Sequence, residues 1–472
     1  MRAIAKIGYG VGQLSEGVKQ AAFNTFLFFY YNQVLGLSGS LAGAAALLAL
    51  VVDAFTDPMI GQISDHWKSK WGRRHPFMLL GAIPFGLAIV ALFSPPEGLA
   101  GLALFSWMLG WAIIVRLALT FFYVPHLSLG AELVSDYHER TSLIGYRVFF
   151  SFVGILLTSV IGFAVFFAPS EAYSNGLLNP ESYPAFAVFC AVLGTSAMLI
   201  STASTVSAVP NLHQPPVAKK NNHAALAFIE MFKTLKQRSF RVLFSVIVLV
   251  AALQGSIQAL LVYMATFVFG FSPEHLAGLF GGLIIGILFS SVTAQYLSKR
   301  FDKRRSLTVC MILGCGFAFT PAFLYLAGVL PMLDIDIRFF LVLIANGVSQ
   351  IFFIAYTILL DSMLSDTIDE HELTTSKREE GLFFAARSFA GKASFGLGTF
   401  FAGIGLDVIK FPQAATLENI PPEAVTSLAV FGGPVLFVLF LLTILVSRRF
   451  PLDEAQHQQI LLQIAERKQA MA

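Results

Sequence analysis

Apolar runs of about 18 residues or more, parted by short polar breaks, recur along almost the whole of this 472-residue chain. A run of that length crosses a bilayer as a helix. Inside hydrocarbon every backbone N–H and C=O must find its partner within the protein, and a helix supplies them all. Composition agrees, with 56% hydrophobic and only 12% charged residues, roughly half the charge of an ordinary globular domain. The chain therefore reads as an all-α polytopic membrane protein. A net charge of +3 makes no case for nucleic acid. Cys190, Cys310 and Cys315 sit in apolar runs without metal-ligand spacing and read as small core residues. Arg2 and Lys6 precede the first run, but no small-residue cleavage site follows it, so that run reads as a first span and not as a removed signal.

The runs place helices near residues 7–35, 41–64, 77–95, 100–130, 143–168 and 183–208, then 239–270, 276–298, 306–330, 338–361, 380–410 and 424–446. Turns on one side, such as 36–40 and 94–98, lack Lys and Arg. The other side carries Lys68, Lys70, Arg73 and Arg74, then Lys299, Arg300, Lys303, Arg304 and Arg305, and finally Arg448 and Arg449. Because basic loops stay cytoplasmic, twelve helices with both termini in the cytoplasm of a cell (inner) membrane are expected. The expected organisation is a six-helix bundle over 1–208, a cytoplasmic connecting loop over 209–238, a second bundle over 239–446 and a cytoplasmic tail over 447–472. Two sequence echoes support a duplicated unit: 61–74 with 291–305, and 132–139 with 362–369.

Two acids stand inside the second run. Asp53 and Asp57 are four residues apart and so share one helix face, one turn apart. Each carries an insertion cost of about 2.5 to 3.5 kcal/mol at the bilayer centre, and mutual repulsion adds to it. A bound cation, a shared proton or a buried Arg or Lys must compensate. Pro58 lacks the amide that would bond a carbonyl one turn earlier, beside the carboxylates. The competing structural reading is that the two acids simply pair with bases on neighbouring helices.

Further polar groups form stripes. Glu16, Gln20 and Asn24 are spaced by four with Lys19 beside them, Gln254 and Gln258 repeat the spacing with Tyr263 further on, and Asn346 and Gln350 repeat it again. Such faces line a shared aqueous cavity or bond across helix interfaces. Lys392 lies too deep in its helix to reach the headgroups and is expected to partner the aspartates or a ligand. Arg147, Arg116 and Arg387 read as residues nearer helix ends, with Arg116 and Arg387 at interfaces. Tyr30, Tyr31 and Tyr123 offer rings and hydroxyls. No enzyme constellation stands out: His371-Glu372 lacks the second His of a zinc motif, and Asp361, Asp366, Asp369, Glu370 and Glu372 read as acids at a cytoplasmic helix end.

Four motifs carry a resemblance: Lys6-Ile-Gly-Tyr-Gly-Val-Gly12, Asp53-Ala-Phe-Thr-Asp-Pro-Met-Ile-Gly61, Ser64-Asp65 with Gly72-Arg-Arg-His-Pro76, and Val124-Pro125. Over nearly its whole length the chain resembles the glycoside-pentoside-hexuronide:cation symporters, the melibiose-permease branch of the major facilitator superfamily. The resemblance implies two pseudo-symmetric six-helix bundles. It implies a coupling-cation site at Asp53, Asp57 and Thr120, a cytoplasmic gate at Asp65, Gly72, Arg73 and Arg74, and places for Arg147 and Lys392 near sugar and cation. The family's sugar site is altered. Its Lys-Asp pair is here Glu16-Gly17, a tyrosine is Asn24, an acid is Tyr123 and a tryptophan is Leu127. A solute other than a galactoside is implied. The expectation is Na+- or H+-coupled symport of a sugar, glycoside or related solute by a monomer, with no cofactor beyond the ion and no enzymatic activity. Glu16, Gln20, Asn24, Tyr123, Arg147 and Lys392 are the candidates for solute contact. A lysolipid carrier and a non-transporting receptor are the alternatives.

Overall fold

The computed structural model describes residues 3–134, 137–211, 234–377, 379–415 and 419–471. Ser135, Asp136 and Arg378, and residues 212–233 of the expected connecting loop, lie outside the described residues. The described residues form twelve long helices and a helical tail, with no strand among them. In chain order they are α1 (residues 3–34), α2 (Gly39–His66), α3 (His75–Leu92), α4 (Gly101–Leu133), α5 (residues 137–166) and α6 (Ser182–Thr205). The second half holds α7 (Arg238–Val268), α8 (Pro273–Arg300), α9 (Lys303–Leu326), α10 (Ile335–Thr375), α11 (Glu380–Val408) and α12 (Pro422–Ser447). The tail forms α13 (Glu454–Met471). Ten of the twelve are long and apolar enough to span a bilayer. The other two are α1, which turns at Gly12-Gln13 and carries Glu16 and Lys19, and α11, which carries Arg387 and Lys392.

The duplication reaches into backbone detail. At the end of α1 the amides of Leu35 and Leu37 donate to Tyr30 O and Tyr31 O, at 3.0 and 2.8 Å. At the end of α7 those of Phe269 and Phe271 donate to Met264 O and Ala265 O, both at 2.9 Å. Both ends widen into a π turn and then pass through a left-handed glycine, Gly36 with φ 71° and Gly270 with φ 72°, which a side chain would strain. Comparable ion pairs stand near the loops of the two halves. Arg74 at the start of α3 meets Glu132 at the end of α4, and Lys303 at the start of α9 meets Asp366 on α10 at 2.7 Å.

Across the two halves α1 packs on α7, α2 on α11 and α5 on α8. Contacts between halves gather at the face opposite the chain ends. There α2 and α11 touch backbone to backbone, so that a Cβ on Gly39 would stand 2.5 Å from Gly403 O. Asp407 of α11 closes this face by accepting from the amides of Gly39 and Ser40, both at 2.8 Å, at the N-terminus of α2. Tyr263 donates to Asn32 Oδ1 at 2.6 Å, and Gln33 Nε2 to Pro412 O at 3.2 Å.

Two elements exceed their sequence-based bounds. The helix expected to end at residue 361 continues to Thr375, because its acids are held by partners instead of lying free at a helix end. Asp361 pairs with Arg387, Asp366 with Lys303, and Glu370 with Gln237 at 2.6 Å. The tail is helical because it buries Ile460 and Ile464. It docks through His457, 3.0 Å from Asp369, and through Arg467, which donates to Leu373 O at 2.7 Å.

Candidate functional site

The site is built where α2 and α4 of the first half face α11 of the second. Asp53 and Asp57 follow one another on one face of α2, and Thr120 of α4 stands opposite both. Thr120 Oγ1 lies 3.1 Å from Asp53 Oδ1 and 2.9 Å from Asp57 Oδ1. A hydroxyl has one proton, so it donates to one carboxylate at a time and presents a lone pair to whatever sits between them. In this structure the ammonium of Lys392 stands there, 3.1 Å from Asp53 Oδ2 and in a short bond with Asp57 Oδ2. The lysine comes from the second half, and the acids from the first. Pro58 has no amide to offer the Ala54 carbonyl, which leaves an acceptor beside the pair.

A second base completes this cluster. Arg116 of α4, only 6% exposed, places NH1 3.5 Å from Asp53 Oδ2, with Phe23 stacked 5.0 Å from its guanidinium carbon. The sequence reading put Arg116 early in its helix and left it as an interface residue. In the structure it is central: α4 starts at Gly101, within one residue of the expected bound, and Arg116 lies about 22 Å along it at 1.5 Å per residue.

The other sequence-expected residues divide. Glu16 accepts from Lys19 at 2.8 Å and from Gln20 at 2.9 Å, so this part of the stripe satisfies itself. Tyr123 lies within electrostatic reach of Glu16, Arg147, Lys392 and Asp57, and Arg147 lies against Tyr9. Asn24 and Gln258, symmetry counterparts on α1 and α7, both line a narrow cleft between the halves, together with Arg116, Phe28, Phe395 and Thr399. Asn346 and Gln350 do not join them. They pack against Gly282 and Gly286 of α8, where a Cβ would meet Asn346 Oδ1 at 2.6 Å and Gln350 Cβ at 2.7 Å. Tyr30 and Tyr31 are likewise structural, donating to Phe93 O and Leu92 O at 3.3 and 2.6 Å at the end of α3.

At the face of the chain ends, Gly72 takes φ 76° in the turn between α2 and α3. That turn brings Arg73 to within 2.8 Å of Glu132 and Arg74 to within 3.0 Å of it. Arg74 also pairs with Asp65 and donates to Ser64 Oγ at 2.8 Å, so one guanidinium ties together the ends of α2, α3 and α4.

A family model described as MFS/sugar transport protein matches residues 8–454. A symporter of Synechocystis is 25% identical, over 98% of this chain and 97% of its own. A putative glycoside/cation symporter of Escherichia coli, YagG, is also 25% identical, over 98% of this chain and 95% of its own. Among solved structures, the inward-open xylose transporter XylE of E. coli superposes with a TM-score of 0.61 at 14% identity, covering 96% of each chain, a likeness of fold.

Proposed function

The chain belongs to the MFS/sugar transport protein family, and on that premise we propose that it is a symporter driving a sugar, glycoside or related small solute with a coupling cation. The observation that carries the reading is the Asp53–Asp57–Thr120 cluster of one half, joined at mid-membrane to Lys392 of the other. The name of the E. coli glycoside/cation symporter supports both the solute class and the ion.

The geometry supplies a mechanism. Without a cation, Lys392 neutralises the carboxylates and couples α11 to α2. A monovalent cation, Na+ or H+, competes for the same oxygens, and its arrival releases Lys392 and with it the tie between halves. Solute enters the neighbouring cleft between Asn24 and Gln258. If ion and solute both favour the occluded arrangement, each tightens the other's binding by the same factor. The face sealed by Asp407, Gly39 and Gly403 is the outer one in this reading. The basic face carrying Arg73, Arg74 and both chain ends is cytoplasmic, where the Arg74–Asp65–Glu132 cluster acts as a gate. Seat and cleft are complete within one chain, which supports a working monomer.

The test is Asp57→Asn in proteoliposomes. Uphill uptake is expected to vanish while the protein keeps its fold by circular dichroism, and normal cation-driven uptake in this variant would remove the carboxylate pair from the coupling role.

A further inference from the structure

We infer that Arg116 is the solute-recognition residue of the cleft between the halves, and that the solute carries a carboxylate. The inference rests on the symport reading above and names the solute class of the same site.

Arg116 is a buried cation with too few partners. Its one hydrogen bond, to Asp53, is 3.5 Å long, whereas charge-assisted bonds settle near 2.7 to 2.9 Å. Asp53 does not depend on it, since Thr120 and Lys392 each approach that carboxylate to 3.1 Å. The Nε of Arg116 is buried and has no hydrogen-bond partner. A guanidinium so placed is costly unless an anion completes its hydrogen bonds. Phe23 against its face holds the plane of the fork, leaving the edge to a planar, bidentate partner such as a carboxylate.

The surroundings agree. Arg116 lines the cleft with Asn24, Gln258 and Thr399, which supply donors and acceptors for hydroxyls beside the anionic group. Among the described residues the acids Asp53, Asp57 and Glu16 are matched by the bases Arg116, Lys392 and Lys19 that contact them. A coupling cation adds a positive charge to this balanced set, and a neutral solute leaves it unmatched. A carboxylate arriving with the cation cancels the added charge, so both are taken out of water together.

The experiment is calorimetric titration of the full chain in nanodiscs with matched pairs: methyl glucoside and methyl glucuronide, methyl galactoside and methyl galacturonide, each with and without Na+ at two pH values. The acid of at least one pair is expected to bind tenfold or more tightly than its neutral partner. Arg116→Gln brings that ratio close to one, and Arg116→Lys keeps part of it. If Arg116→Gln fails to fold, the wild-type ratio decides alone. A ratio of one or less, an acid preference that survives Arg116→Gln, or no binding by any acid overturns the inference. Neutral glycoside binding that tightens with cation overturns it while leaving symport intact. Acid preference with no response to Na+ or pH upholds Arg116 and defeats the symport reading.

Discussion

At the scale of single residues, what decides function is how charge is satisfied below the membrane surface. Lys392 holds two carboxylates from the opposite half, and under the symport reading it is a tethered competitor of the coupling ion. Lys392→Met is therefore expected to tighten cation binding about tenfold, the equivalent of about 1.4 kcal/mol, because the incoming ion no longer displaces an ammonium. Calorimetry measures this, and weaker binding would mean that the lysine builds the seat instead of competing for it. Thr120→Val should weaken the same binding by removing the oxygen shared by both acids, while Thr120→Ser should retain it. Asp53 and Asp57 were legible in the sequence because two charges within an apolar run have few innocent explanations. Arg116 was not read correctly. The expected bounds, 100–130, already put it near the middle of its helix, and distance along the helix sets the position in the bilayer. Asn346 and Gln350 illustrate the opposite limit. A polar stripe announces a face that avoids lipid, but periodicity does not distinguish a cavity from a glycine-lined neighbour.

At the scale of elements, α2 and α11 form the closest seam between halves. Their closest approach, at Gly39 and Gly403, admits no side chain, and Asp407 caps α2 from the other half. Asp407→Asn keeps the size of the group and removes its charge, so the seal at this face, the outer one under the proposed topology, should loosen by roughly 1 kcal/mol, typical of a charge at a helix N-terminus. A cysteine placed at Ser40 should then react severalfold faster with a membrane-impermeant maleimide, and unchanged labelling would show that the seal does not depend on the cap. Gly403→Leu, in contrast, adds bulk where backbones meet and should lower the thermal midpoint as well, since overpacking costs about 1 to 3 kcal/mol. The existence of all twelve long helices could be read from hydropathy and the duplication from loop motifs. The true ends of α10 and the tail could not. Their turns carry acids and amides that look like loop, and their partners lie far away in the chain: Arg387, Lys303 and Gln237 meet the acids of α10, and Asp369 and Leu373 of α10 receive His457 and Arg467 of the tail.

At the scale of the whole molecule, the repeat explains why the site lies where it does. Equivalent ends of α1 and α7 put Asn24 and Gln258 on facing sides of one cleft, and the acids of α2 sit beside it with a base from α11. Only the first half carries the acid pair. The position that pseudo-symmetry assigns to the second half's counterpart of Asp53 falls within α8, whose buried residues Gly282, Gly286 and Ser290 are small and uncharged. Under the symport reading, the duplicated frame thus holds an ion seat beside the cleft, and a cross-half ammonium that reports whether the seat is taken. The measurement that tests this account most directly is accumulation of a radiolabelled glycoside or sugar acid in proteoliposomes under imposed gradients of Na+ and, separately, of H+. The account predicts accumulation against the solute's own gradient with one of the two ions, abolished by collapsing that ion's gradient and absent in Asp57→Asn. Solute entry that never exceeds equilibration, or accumulation that persists in Asp57→Asn, would contradict it.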